Sequence, residues 1–289
     1  MRMQRAMNIW VIGGDLRQVA LARELTEDGH TVHTFGLERA EGLFCEENWN
    51  GLERADCIVL SLPATDGNGV LNTPLSGQKH TLQELFEHTE QGQLLCAGMV
   101  KPDLQELAEA RGLLLCDYFA REELAVANAV PTAEGAVQTA MENLPITLHN
   151  ARVLILGYGR VGRVTAQRMS SVGAYVAVAA RSHEQLAWAK VWGYHTEHIE
   201  RLKPWLCGYD LVVNTIPAKV LRREELESLK PGTLVIDLAS KPGGVDFESA
   251  AELGVKVIWA LALPGKVAPK SSAGYIKTTI YHIIDELGV

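Results

Sequence analysis

Two glycine turns, set about 145 residues apart, constrain this chain more than any other feature. Each follows a short apolar run and precedes an amphipathic stretch, a further glycine and a second apolar run. The first reads Asn8-Ile-Trp-Val-Ile-Gly13-Gly14-Asp15, then Leu16 to Asp28, Gly29 and Thr31-Val-His-Thr34. The second reads Val153-Leu-Ile-Leu-Gly157, then Arg160 to Val172, Gly173 and Tyr175-Val-Ala-Val-Ala179. Strand, tight turn, helix, strand opens a parallel sheet, because parallel neighbours need a crossover that lies over the sheet. In the second opening Val161, Val164, Thr165, Arg168, Met169 and Val172 recur at helical spacing, so one helix face can rest on the sheet. Two openings so far apart predict two α/β domains rather than a short repeat. The length agrees, since 289 residues is about twice a usual domain.

Beyond the first opening, apolar runs at Cys57-Ile-Val-Leu60, Leu94-Leu-Cys96 and Leu113-Leu-Leu-Cys116 alternate with helical stretches near His80 to His88 and Pro102 to Arg111. They predict a five-strand doubly wound sheet. Beyond the second, runs at Leu211-Val-Val213, Thr233-Leu-Val-Ile236 and Val255-Lys-Val-Ile258 point to the six strands of a full dinucleotide-binding domain. Pro131-Thr132 to Met141, with Pro near its start and Glu134 in the first turn, reads as a connecting helix. Ser271 to Leu287 reads as a closing helix that can pack on the first domain. The expected boundaries are 1–128 for a Rossmann-like, flavodoxin-like substrate-side domain and 129–150 for a connecting helix and linker. The Rossmann domain follows at 151–270 and the C-terminal helix at 271–289.

Composition removes several function classes. Lys plus Arg number 27 against 35 Asp plus Glu, a formal charge of −8, which argues against nucleic acid as the main partner. No apolar run approaches the roughly 20 residues of a membrane span. Met1 to Asp15 carries only the short apolar stretch Ile9–Ile12, too little for a secretory signal, so a cytoplasmic location is expected. Cys45, Cys57, Cys96, Cys116 and Cys207 form no C-x-x-C pair and read as reduced thiols, with no metal expected.

Gly157-Tyr158-Gly159-Arg160-Val161-Gly162 is a complete G-x-G-x-x-G in the required context, a strand before it and a helix after. The three glycines serve the tight turn, the approach of a pyrophosphate and close helix-on-strand packing, and the helix N-terminus offers N–H groups to phosphate. An NAD site usually carries Asp or Glu about 20 residues on, for the ribose hydroxyls. Here Ala180-Arg181-Ser182-His183 stands instead, with no acid until Glu184. A guanidinium pairs well with a 2′-phosphate that a carboxylate would repel, so NADP is expected over NAD. Asn214-Thr215-Ile216-Pro217 and Asp237-Leu-Ala-Ser240-Lys241-Pro-Gly-Gly244 follow later strands and are expected at the nicotinamide end.

The first turn lacks the third glycine and places Asp15 where a pyrophosphate would sit, which argues against a second dinucleotide site. Two readings of it stand open: Asp15 caps the helix that follows, or Arg17 and the turn amides face a substrate. No histidine is placed as a 2-hydroxyacid dehydrogenase needs it.

These residues resemble the A-subunit family of dipicolinate synthase from spore-forming bacteria. The resemblance rests on Val11-Ile-Gly-Gly-Asp-Leu-Arg-Gln18, Asn128-Ala-Val-Pro-Thr-Ala-Glu-Gly135, Leu156-Gly-Tyr-Gly-Arg-Val-Gly162, Ala180-Arg-Ser182, Asn214–Pro217, Asp237–Gly244 and Leu263-Pro-Gly-Lys-Val-Ala-Pro-Lys270, in family order over nearly the whole chain. Lys241 departs by standing where Arg is expected, and Ser61–Thr65 fits only in part. The resemblance implies NADP-dependent oxidation of a dihydrodipicolinate-type intermediate to pyridine-2,6-dicarboxylate during sporulation. It also implies a partner, the flavoprotein-like B subunit of dipicolinate synthase.

A dicarboxylate substrate needs cations, and Arg17, Lys241 and Lys270 lie in predicted turns where each can clamp a carboxylate. Thr132 is either an N-cap or a substrate contact. Asp15 and Glu134, or a water they hold, are the candidate proton acceptors; Lys241 is a further candidate catalytic residue, and a first-turn dipole role competes for Glu134. Gly157 to Gly162, Arg181, Ser182, Asn214 to Pro217 and Ser240 form the expected cofactor set. Two alternatives stay open: an NADP-dependent dehydrogenase of another small carboxylic acid, and a non-catalytic NADP-binding protein that positions a partner. A homo-oligomer stays open as well.

Overall fold

A computed structural model describes residues 5–288; Met1–Gln4, the start of the stretch read for a secretory signal, and Val289 lie outside the described residues. The chain divides into two units, one running to Ala127 and taking in the chain from Ala268 onward, the other Asn128–Val267.

The first unit contains β1 (Asn8–Ile12), α1 (Leu16–Glu27), β2 (Thr31–Phe35), β3 (Cys57–Leu60), α2 (Leu82–Glu87), β4 (Leu94–Ala97), α3 (Pro102–Ala110), β5 (Leu114–Asp117) and the start of α4 (Glu122–Asn143). Its sheet is parallel throughout, in the order β2-β1-β3-β4-β5. Successive residues of β1 feed opposite cores. Ile9 and Val11 join Val59 and Cys96 on one face, while Trp10 and Ile12 join Ile58 and Leu60 on the other. Burial on both faces is why these strands read as unbroken apolar runs.

The second unit contains β6 (Arg152–Leu156), α5 (Arg160–Ser171), β7 (Tyr175–Ala180), α6 (His183–Val191), β8 (His195–His198), β9 (Leu211–Asn214), α7 (Arg223–Glu227), β10 (Leu234–Asp237), α8 (Phe247–Glu252), β11 (Lys256–Trp259) and α9 (Leu263–Val267). Its order, β11-β10-β9-β6-β7-β8, is that of a full dinucleotide-binding sheet, with the switch point where β6 meets β9. Only five of its strands announce themselves as apolar runs. The sixth, β8, is His-Thr-Glu-His on a sheet edge, exposed or half-exposed, where polar residues are tolerated.

The last helix, α10 (Pro269–Leu287), closes the first unit. Ile276, Ile280, Ile283 and Ile284 enter the core that also holds Leu21 and Leu25 of α1. Lys277 bridges Glu24 and Asp28 at 3.2 and 2.9 Å.

The connecting helix differs from its sequence reading. It begins at Glu122, so Pro131 lies inside it and is not its first residue. Proline favours the first turn because it lacks an N–H, yet the preceding Glu-Glu-Leu-Ala-Val-Ala run, with two acids at its start, sets the helix going earlier. Thr132 is therefore not an N-cap: its hydroxyl donates to the Asn128 carbonyl at 2.7 Å. Glu134 is past the first turn and faces Arg168 Nε at 3.5 Å.

Candidate cofactor site

The carboxyl ends of β6, β7 and β9 enclose a groove of about 600 Å3. Its floor is the turn Gly157–Gly162. Gly157 has φ +89°, and a Cβ there would lie 2.5 Å from Thr215 Oγ1. A Cβ on Gly162 would lie 2.2 Å from the Gly157 carbonyl, so α5 packs on β6 at backbone distance. A Cβ on Gly159 would meet nothing within 4 Å, leaving an open cradle above the turn. The N-cap of α5 is Gly159, which has no side chain to offer the amides of the first turn. Tyr158 is 2% exposed: its ring lies in the core under the Arg163 guanidinium, and only its main chain can serve a ligand.

At the far end Arg181 and Ser182 leave β7 exposed on the groove wall. Ser182 caps α6 by accepting from Gln185 N at 3.4 Å, and its own O–H is left to donate. Gln185 lines the groove, whereas the neighbouring Glu184 does not. Sequence reasoning missed Gln185, although the spacing Ser182-x-x-Gln185 is a helix-start signature that marks it. His183 is the first residue of α6.

Thr215, Ile216 and Pro217 form the other wall. Thr215 donates from both its amide and its hydroxyl to the Leu156 carbonyl, at 2.9 and 2.8 Å, which fixes that wall to β6. Asn214 and Ser240, expected on the cofactor, do not line the groove. Asn214 is fully buried and its amide braces Ile216 and Asp237 instead. Ser240 and Lys241 sit exposed on the loop after β10, and the Lys241 ammonium has no ion pair among the described residues.

In the first unit the glycine turn is covered by the chain itself. Gly13 N donates to Phe35 O and Gly14 N to Asn72 O, both at 2.8 Å. Thr73 Cγ2 sits 2.9 Å from where a Cβ on Gly13 or Gly36 would be. The Gly13 and Gly14 amides are thus engaged within the chain. Asp15 caps α1, and Arg17, 7% exposed, pairs with it at 2.9 Å and donates to Leu62 O at 2.8 Å. Burial alone would raise the Asp15 carboxyl, but the hydrogen bonds and charge of Arg17 hold it below the ordinary carboxylate value. That makes Asp15 a poor proton acceptor and Arg17 an occupied cation. Glu134 is ion-paired too, while Lys270, on the first turn of α10, is exposed without an ion pair among the described residues. Among the described residues no cluster of His, Cys, Asp or Glu could hold a metal ion, and no helix is long and apolar enough to cross a membrane.

A six-strand Rossmann sheet with its glycine turn open at the switch point defines a dinucleotide-binding oxidoreductase of the dehydrogenase type. Residues 124–287 match the family model for the alanine dehydrogenase/PNT C-terminal domain. Residues 8–119 match the model for the N-terminal domain of the dipicolinate synthase A subunit. The A subunit of dipicolinate synthase from Bacillus subtilis (strain 168) is 33% identical over 99% of this chain and 98% of its own length. The crystal structure of the dipicolinate synthase A chain from Bacillus subtilis superimposes with a TM-score of 0.89, covering 99% of this chain and 98% of that one. The A subunit from Bacillus halodurans, 30% identical, gives 0.86 over 96% and 97%. The chain belongs to the dipicolinate synthase A-subunit family.

Proposed function

We propose that this chain oxidises a dihydrodipicolinate-type intermediate to pyridine-2,6-dicarboxylate, with NADP in the groove as hydride acceptor. By the same reading it works in the mother-cell cytoplasm during sporulation, beside the flavoprotein-like B subunit. The single observation that carries the cofactor choice is the ribose end of the groove. Arg181, Ser182 and the neutral Gln185 line it and Glu184 does not, so a cation and hydroxyl meet the 2′-phosphate with no opposing carboxylate.

The open cradle at Gly159, a glycine N-cap at the start of α5, fits a pyrophosphate, and Thr215–Pro217 fit the wall toward the nicotinamide. When bound, NADP supplies the hydride acceptor. The residues of the chain orient and neutralise: Lys241 and Lys270, neither in an ion pair among the described residues, are each suited to hold a carboxylate. Asp15 and Glu134 are both ion-paired, so the ring proton leaves to water and not to either carboxylate. That same pairing favours a second reading, in which the chain holds cofactor for a partner and performs no transfer itself.

One assay separates the two: purified chain, NADP and freshly made precursor, following reduced-nicotinamide absorbance with and without the B subunit. Absorbance growing with this chain alone rules out the holding role. No growth even with the partner present overturns the enzymatic reading. Replacing Arg181 with Ala is expected to weaken NADP binding about 10- to 100-fold, as for loss of a charge-assisted contact, and to leave NAD binding nearly unchanged. Equal effects on both coenzymes in a fluorescence titration would remove Arg181 from the 2′-phosphate.

A further inference from the structure

At the end of β10 lies a carboxylate with no cation beside it among the described residues. Asp237 is fully buried, forms no ion pair among the described residues, and accepts three hydrogen bonds. They come from Asn214 Nδ2 at 2.7 Å, Ala239 N at 3.0 Å and Gly244 N at 2.8 Å. Asn214 is equally buried, and its amide also clasps both main-chain groups of Ile216, the N–H at 3.1 Å and the carbonyl at 3.0 Å. Glycine is needed beside this network: a Cβ on Gly244 would lie 2.1 Å from Asn214 Nδ2, and one on Gly243 would lie 2.9 Å from Asp237 Oδ2.

A buried acid is costly unless its charge is answered by hydrogen bonds. This one is answered by groups from two different loops. One is the groove wall Thr215–Pro217, reached through Asn214; the other is the loop from Leu238 to Gly244, which carries Ser240 and Lys241. We infer that Asp237 is a positioning residue that locks the cofactor-groove wall and the Lys241 loop into one rigid arrangement without touching cofactor or substrate. A plain turn brace would need only the Ala239 and Gly244 amides. The bond to Asn214 serves no turn and joins the two loops. This role rests on the groove being the cofactor site, as proposed above.

The test uses the full chain. Asp237→Asn keeps the shape but turns an N–H toward a donor, so the network loses at least one bond. Deuterium exchange of the free protein is expected to quicken in residues 238–244 and also in 214–217, with β6 unchanged, and cofactor affinity to fall about 10-fold. Exchange that quickens only in 238–244, with affinity within about twofold of the parent, overturns the inference.

Should that variant not fold, Asn214→Asp decides. It sets two carboxyls at the distance of a hydrogen bond, where both cannot be ionised cheaply. The shared proton restores the missing donor at low pH. Cofactor affinity relative to the parent is then expected to be about 10-fold better at pH 6 than at pH 8.5. A ratio that does not change with pH overturns the coupling. The exchange measurement needs no cofactor, so a parent chain that binds neither NADP nor NAD defeats the proposed function and leaves the exchange result to judge Asp237.

Discussion

Gly159 and Gly162 stand three positions apart in one motif and do opposite things. Alanine in a helix ordinarily gains about 1 kcal/mol over glycine. At Gly162 that gain loses to a Cβ placed 2.2 Å from a backbone oxygen, which cannot give way as a side-chain tip would. Gly162→Ala is expected to lower stability by about 1–3 kcal/mol, the range for overpacking, measured as a reduced urea midpoint. Gly159→Ala meets no protein atom and should leave that midpoint alone while cofactor titration is lost, because the methyl enters the cradle. If Gly159→Ala bound cofactor normally, the cradle would not be where the pyrophosphate lies. The spacing of these glycines was readable in the sequence, because the turn and its phosphate are built from adjacent residues. The fate of Arg17 was not. Whether a guanidinium is free depends on the Leu62 carbonyl, a neighbour that only the folded chain supplies. Asn214 escaped for the same reason, since its partner Asp237 lies on another strand.

Helix α10 is held to α1 by more than its isoleucines. His30 Nδ1 accepts from Met7 N at 3.2 Å, so Nε2 carries the proton and faces Tyr281 Oη at 2.9 Å. Tyr281 in turn donates to Asp28 at 2.7 Å. This chain of bonds needs a neutral ring, and burial, aided by the charge of Lys277, pushes the His30 value down against the pull of Asp28. A lowered value in the folded state means that the unfolded chain takes up the proton first. The stabilisation is therefore complete above the ordinary histidine value of about 6.5 and declines as pH falls through it toward the folded value. The melting temperature is expected to drop from pH 7 toward pH 5, and His30→Gln to flatten that decline; an unchanged slope in the variant would remove His30 as its cause. The closing helix itself was legible from isoleucines at helical spacing. The true start of α4 was not, since Pro131 imitates a helix start so well, and β8 hid because an edge strand need not be apolar.

Both sheets open with the same strand, turn and helix, yet only one turn is available. Asn72 and Thr73 occupy the first, taking the Gly14 amide and filling the space beside Gly13 and Gly36. One dinucleotide per chain is accordingly expected, and calorimetry giving a stoichiometry near two would show that the covering segment lifts away. The repeat of the opening was plain in the sequence, and so was the missing third glycine. That the chain itself would plug the gap was not, because the plug comes from a loop without regular pattern. The return of α10 to the first unit carries a consequence for biosynthesis. Codons for Pro269–Leu287 are translated after the whole second unit, yet their product covers a sheet translated well before it. On the ribosome the opening half waits, one flank bare, until the whole Rossmann half has emerged. A message truncated just short of that helix would therefore yield an intact dinucleotide site attached to an unfinished, aggregation-prone companion.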